Sequence, residues 1–432
     1  MTFFNNAQQK FFKLGLIVSV FVFLGKLISF GRELSFSYFY GSNIYAESFF
    51  FNFNIMNLLA GIFLNTIIFY LVPQFKKKKI LSNLESFENE QILLFFYVGL
   101  FFQILLGLVF FVGFNLDLFI ISNELKQSAR RSYLIFCLSF PILIMTFVLT
   151  SMLTAKNNHI GLFYESIPSL IIIISIFLIS YNDYILSSAF ILGVIIQLII
   201  LNFYRNFPIL YLKNNFLNFK NLKLNKIFLQ ILMVQVIFAL PNIIDHFIVS
   251  SLEKRSLAHF TYANKIYSIV YSIIFLIVSR TLITFFIDTQ KIINKKFIGY
   301  ILFSLCLGIL FSLFLSYNSN TITAILFYRG NFTLFDLQEV SMIFKFFTYL
   351  IPFYLIIVII LTFFYGQQRL KVIFVICLIT LITKAVHLLL INDLKTIDLP
   401  LSTLSGFLLA TTYIFFVLFK ETKSNELLKK KN

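Results

Sequence analysis

The residues best placed to do chemistry in this sequence are the few charged and amide side chains set inside long apolar stretches. Between residues 25 and 75, Lys26 stands within an apolar run, Arg32 and Glu33 close that run, and Asn52, Asn54 and Asn57 punctuate the next one. Farther along, Asp245, Asn264 and Lys265 occupy similar surroundings. A cation or an amide is costly in a segment meant for lipid, and it usually faces a polar cavity or a partner. Cations gathered in such a cavity attract an anion. Three of them suit a diphosphate, whose charge they partly neutralise. The other reading of each cation is snorkelling, in which the charged head rises to the headgroups along its apolar stem. For Lys26, Arg32 and Lys265 the residues alone leave both readings open, and the cavity reading makes them candidate contacts for an anionic, lipid-linked substrate.

The elements that carry these residues are helices in a membrane. Of 432 residues, 59% are hydrophobic and only 12% charged, far too little charge for the surface of a soluble chain of this length. Apolar runs long enough to cross about 30 Å of hydrocarbon recur at 11–30, 49–75, 91–114, 132–155, 160–181, 185–204, 226–250, 258–287, 297–316, 340–365, 371–391 and 399–420. The expectation is an all-α polytopic membrane protein of about twelve spans. The first run has no small-residue cleavage site behind it, so it reads as a retained helix. Most of the 35 Lys and Arg residues fall in the termini and the even-numbered connections, including Lys76–Lys79 and 205–225. By the positive-inside rule both termini are expected in the cytoplasm. The same bias accounts for the net charge of +17 without nucleic acid as a partner. Trp is absent, so Tyr must supply most of the interfacial belt.

The basic stretch 206–225 divides the chain near its middle, giving an expected N-terminal lobe (1–205), a linker (206–225), a C-terminal lobe (226–420) and a basic tail (421–432). A shift of 212 residues places Glu33 on Asp245, Ala46 on Ala258 and Asn52 on Asn264; a shift of 211 places Pro141 on Pro352. Six spans return the chain to its starting side, so the halves read as parallel repeats. Alternating-access transporters use that plan, with substrate bound between the halves near the midplane. By that repeat Lys26, Arg32 and Lys265 are expected to converge on a central cavity, with Glu33, Asn52, Asn57, Asn264 and Asp245 supporting the cavity or its gate. Pro141 and Pro352 each mark either a flexing point or a fixed kink.

Other polar residues are less telling. Asp245 is read as a partner for Lys26 or Lys265, or as a ligand for a coupling cation. Lys384 and His387, three apart, form either a second polar patch or a helix–helix contact; Arg280 and Lys345 lie near span ends. Cys137, Cys306 and Cys377 are scattered and give no disulfide framework. The four histidines lack metal-motif spacing, and Gly25–Lys26 lacks the earlier glycine of a phosphate loop, position 20 being Val20. No enzyme chemistry, metal or cofactor is expected, and transport is expected to draw on an ion gradient, the membrane potential or the substrate's own gradient. The connections are too short for a glycan polymerase or ligase, whose outer loop must carry acid and base groups. A cation antiporter would want carboxylates where this chain has lysines.

GKLISFGRELSFSYFYGSNIYAESFFFNFNIMNLL (25–59), MLTAKNNHIGLFYESIPSL (152–170), FTYANKIYSIVYS (260–272) and LFYRGNFT (326–333) stand in collinear order. Together they resemble the MurJ (MviN) lipid II flippase family of the multidrug/oligosaccharidyl-lipid/polysaccharide superfamily. The resemblance implies two pseudo-symmetric six-helix lobes that move an undecaprenyl-diphosphate-linked peptidoglycan precursor between leaflets of the bacterial cytoplasmic membrane. It places family cavity arginines on Lys26, Arg32 and Lys265 and the acid before the second helix on Glu47. It also implies a place in cell-wall biogenesis, beside cell-wall synthesis proteins. Only Arg32 is kept as arginine, and lysine supplies charge without the bidentate fork. A further family arginine is replaced by Ala60. Family members commonly have fourteen helices against the twelve read here, which keeps another polyprenyl-diphosphate-linked glycan (O-antigen, teichoic or capsular) as the alternative substrate. LFYRGNFT also has a purely structural reading, with Gly330 turning the loop and Thr333 and Asp336 capping the next helix.

Overall fold

The computed structural model describes residues 6–80, 84–116, 121–156, 158, 160–179, 182–204, 226–270, 295–366 and 369–431. The expected linker 206–225 and Arg280 lie outside them. Every regular element among these residues is helical. In order they are α1 (Asn6–Tyr40), α2 (Ile44–Ile80), α3 (Leu84–Asn115), α4 (Asn123–Leu138), α5 (Phe140–Ala155), α6 (Gly161–Tyr164), α7 (Ile167–Leu178) and α8 (Asp183–Phe203). After the linker come α9 (Lys226–Ser251), α10 (256–270), α11 (Lys295–Tyr317), α12 (Ser319–Phe327), α13 (Leu334–Thr348), α14 (Ile351–Gly366), α15 (Leu370–Leu389) and α16 (Asp398–Lys431).

Six of these helices, and α6 with α7 taken as one run (Gly161–Leu178), are long and apolar enough to span a membrane, giving seven spans, or up to ten if each of three bent pairs counts as one. These match ten of the twelve expected spans. Of the other two, 11–30 lies on α1, whose side chains are described only from residue 20, and 258–287 runs beyond the described part of α10. The chain is a multi-pass helical membrane protein. Phe101, Ile104, Leu108 and Phe111 of α3, and Phe303, Leu307, Leu310 and Phe314 of α11, are exposed at helical spacing, the apolar faces that lipid would cover.

The helix ends follow local chemistry. Gly41 (φ 58°) ends α1 in the left-handed conformation that glycine adopts without strain. Asn43 then accepts from the Tyr45 and Ala46 amides to start α2. Pro141, two residues after Ser139, ends the α4 ladder, and α5 leaves at 44°. Proline after Ile351 does the same between α13 and α14, at 46°. A 62° bend separates α11 from α12.

The chain clusters into two units, one of 1–239 and 246–257, the other of 240–245 and 258–432. Within the first, the rings of Phe49, Phe53, Phe136 and Phe190 form a continuous cluster, Phe49 stacking on Phe53 at 5.0 Å and Phe53 meeting Phe190 edge-on at 5.5 Å. A β-carbon on Gly99 would stand 2.7 Å from Pro141 Cα, and one on Gly193 2.5 Å from Pro168 Cα. Within the second unit, a β-carbon on Gly308 would stand 2.8 Å from Pro352 Cα, and one on Gly406 2.8 Å from the Thr380 carbonyl. Small residues let helix backbones approach in lipid, where no hydrophobic force draws helices together. The four pairs fall 209 to 213 residues apart along the chain. Both units therefore build their helix crossings at the same repeat positions, the register that Pro141 and Pro352 marked in the sequence.

Candidate functional site

Lys26 lies on an exposed face of α1. The helix there abuts the α6–α7 junction, where a β-carbon on Gly25 would meet the Leu162 carbonyl at 3.6 Å and Ser166 Cβ at 3.8 Å. Glu165 sits in that junction, close enough for the Lys26 charge to act on its carboxylate. Sequence reasoning missed Glu165, which stands between α6 and α7 inside a stretch that drew notice only for its family pattern.

Arg32 is buried at 3% exposure, with both terminal nitrogens engaged and its Nε without a hydrogen-bond partner among the described residues. Its guanidinium bonds the Glu33 carboxylate and donates to Ser169 Oγ at 3.1 Å, and its Cζ lies 3.9 Å from the centroid of the Phe53 ring. A guanidinium can serve a carboxylate, a hydroxyl and a ring at once because it is planar and carries five N–H donors. Its charge is therefore balanced by its own neighbour in this conformation. Ser169, on α7, belongs to this arrangement and carried no signal in the sequence.

Glu47 is buried and accepts from the Leu257 amide at 3.2 Å, satisfying a backbone donor just inside α10. Asn52 is also buried, and its amide donates to the Ala129 carbonyl and to Ser132 Oγ, both at 2.8 Å, tying α2 to α4. Asn57 and Asn264 are exposed, and Lys265 is half-buried on α10. His246 has its Nε2 3.0 Å from the Phe51 carbonyl.

Asp245 is paired with Lys384, where the sequence reading had offered Lys26 or Lys265. Lys384 Nζ lies 2.5 Å from Asp245 Oδ2 and 2.7 Å from Thr403 Oγ1. The three come from α9, α15 and α16, and Lys384 is 1% exposed. Of the two readings of Lys384, helix–helix contact is the one seen.

LFYRGNFT has the structural role that its residues allow. Gly330 turns the loop at φ 62°, and Thr333 with Asp336 forms a reciprocal capping box at the start of α13. Asp336 Oδ2 accepts from the Thr333 amide and hydroxyl at 2.8 Å each, and Oδ1 lies 2.7 Å from His259 Nε2. Tyr262 of α10 packs on Phe327 and Phe332 of the same motif, at 5.1 and 5.7 Å. Two of the quoted motifs thus hold each other in place. No group of three or more His, Cys, Asp or Glu residues among those described is placed to hold a metal ion.

A family model described as the lipid II flippase MurJ matches residues 36–431. The chain belongs to the MurJ family. A curated relative from Aquifex aeolicus (strain VF5), named as a probable lipid II flippase MurJ, is 23% identical over 84% of this chain and 73% of its own length. Among solved structures, a lipid II flippase MurJ in an inward closed conformation is similar at TM-score 0.78 and 19% identity, over 95% of this chain and 91% of that one. An inward-facing multidrug-resistance MATE transporter of the MOP superfamily is similar at TM-score 0.68 and 11% identity, over 95% and 98%. The fold is that of MOP-superfamily transporters.

Proposed function

We propose that the chain is a lipid II flippase of the bacterial cytoplasmic membrane, moving the undecaprenyl-diphosphate-linked precursor from the inner to the outer leaflet. The observation that carries this reading is the MurJ family match over residues 36–431. The transporter fold and its membrane-spanning helices support it. Lys26, Arg32 and Lys265 are the cations offered to the diphosphate. Lys26 is exposed, so the anion can reach it without breaking a buried contact. Arg32 joins only by exchanging Glu33 for phosphate oxygens. The Lys and Arg bias of the sequence supports cytoplasmic termini.

Complementation tests the reading. The chain is expressed in bacteria whose own lipid II flippase has been switched off, and growth is followed. Growth is expected to return, and Lys26→Ala or Lys265→Ala to weaken the rescue, because a charge-assisted contact contributes about 1.5–3 kcal/mol. Failure of rescue by protein present in the membrane would reject the proposal.

A further inference from the structure

Within the second unit, Asp245 sits in an unusual setting for a carboxylate in a membrane helix. It is 5% exposed, its Oδ2 is held by Lys384, and its Oδ1 has no hydrogen-bond partner. The Thr403 hydroxyl meets the same ammonium, so the Lys384 nitrogen lies between a carboxylate oxygen and a hydroxyl oxygen contributed by α9 and α16. A carboxylate with a neighbouring hydroxyl, enclosed by helices of a transporter, is oxygen surroundings suited to a small monovalent cation. Here the position is taken by a nitrogen on a side chain. Carboxylate and ammonium together carry no net charge, and a metal ion added beside them would leave a positive charge uncompensated in a medium of low dielectric. A tethered ammonium also cannot be exchanged with either solution. It therefore cannot carry the energy of a cation gradient into the cycle, since a ligand shifts states only through differential binding.

We propose that Lys384 is a built-in counter-ion for Asp245, occupying the place of a soluble coupling cation, and that removing it uncovers a sodium site built on Asp245 and Thr403. It follows that this chain does not couple to sodium through Asp245. The proposal does not depend on the lipid II reading, because its test needs no substrate.

The test is thermal unfolding of the purified chain in detergent, with sodium chloride titrated against choline chloride at constant ionic strength. The wild type is expected to unfold at the same temperature throughout. Lys384→Ala should unfold earlier in choline and recover with sodium along a saturable curve, as a ligand that binds only the folded state requires. Lys384→Gln, which keeps most of the side-chain volume, gives the same reading if Lys384→Ala folds poorly. Adding Asp245→Asn to either variant should abolish the sodium response. A merely structural salt bridge would lose stability on mutation without acquiring any dependence on sodium. The proposal is overturned by a wild type stabilised saturably by sodium through Asp245, or by Lys384→Ala and Lys384→Gln proteins that are both indifferent to sodium.

Discussion

Gly99 approaches Pro141 so closely that a β-carbon on the glycine would stand 2.7 Å from the proline Cα, and Gly308 stands in the same relation to Pro352 at 2.8 Å. In each case the proline follows a bend between two half-helices, of 44° and 46°. The missing hydrogen bond at proline allows the bend, and the missing side chain at glycine lets the neighbouring helix lie against it. Gly99→Ala and Gly308→Ala are each expected to lower stability by about 1–3 kcal/mol, the cost of overpacking against backbone that cannot give way. Gly61, with nothing within 4 Å of its β-position, is the control. Gly61→Ala should be neutral or gain up to about 1 kcal/mol from helix propensity. Thermal unfolding in detergent separates the three.

Glu33 gives a second test, because it is the counter-charge of the buried Arg32. Glu33→Gln leaves the guanidinium buried without its carboxylate, which costs about 3–5 kcal/mol where one member of a buried pair is removed. Arg32→Gln together with Glu33→Gln should recover much of that loss, since neither charge is then buried. Unfolding of the two single variants and the double variant, taken as a cycle, measures the coupling. Additive losses would show that the pair does not act as a unit.

The capping box at Thr333 predicts a graded series. Thr333→Ala should cost about 0.5–2 kcal/mol, as for other lost helix caps. Asp336→Ala should cost more, because it removes the acceptor for the Thr333 amide and hydroxyl and the partner of His259 together. His259→Ala should fall between them. Hydrogen exchange of the α13 amides, compared across the three proteins, should rise in the same order. Equal protection in all of them would show that the box does not hold the helix start.

What the sequence made legible was what local pattern controls. Span lengths, the charge bias, the proline breaks and the turn and cap of LFYRGNFT can each be read from a few adjacent residues. The cross-chain pairings could not be read this way. Lys384 is 139 residues from Asp245, and one lysine on an apolar helix looks the same whether it reaches headgroups or a distant carboxylate. Ser169, which holds Arg32 from 137 residues away, is a small polar residue of the kind that membrane helices use everywhere. Arg32 shows the opposite difficulty: its counter-charge is the next residue in the chain, yet neighbours in sequence point apart on a helix, so adjacency did not announce the pair.

The most direct measurement is the exposure of newly made lipid II to an enzyme added outside the cell, in bacteria whose own flippase has been switched off. With this chain present, exposure is expected to return, and to fall by about 10- to 100-fold in Lys26→Ala, the range that losing a charge-assisted phosphate contact implies. Lipid II that stays inaccessible, with the chain well expressed in the membrane, would contradict the account.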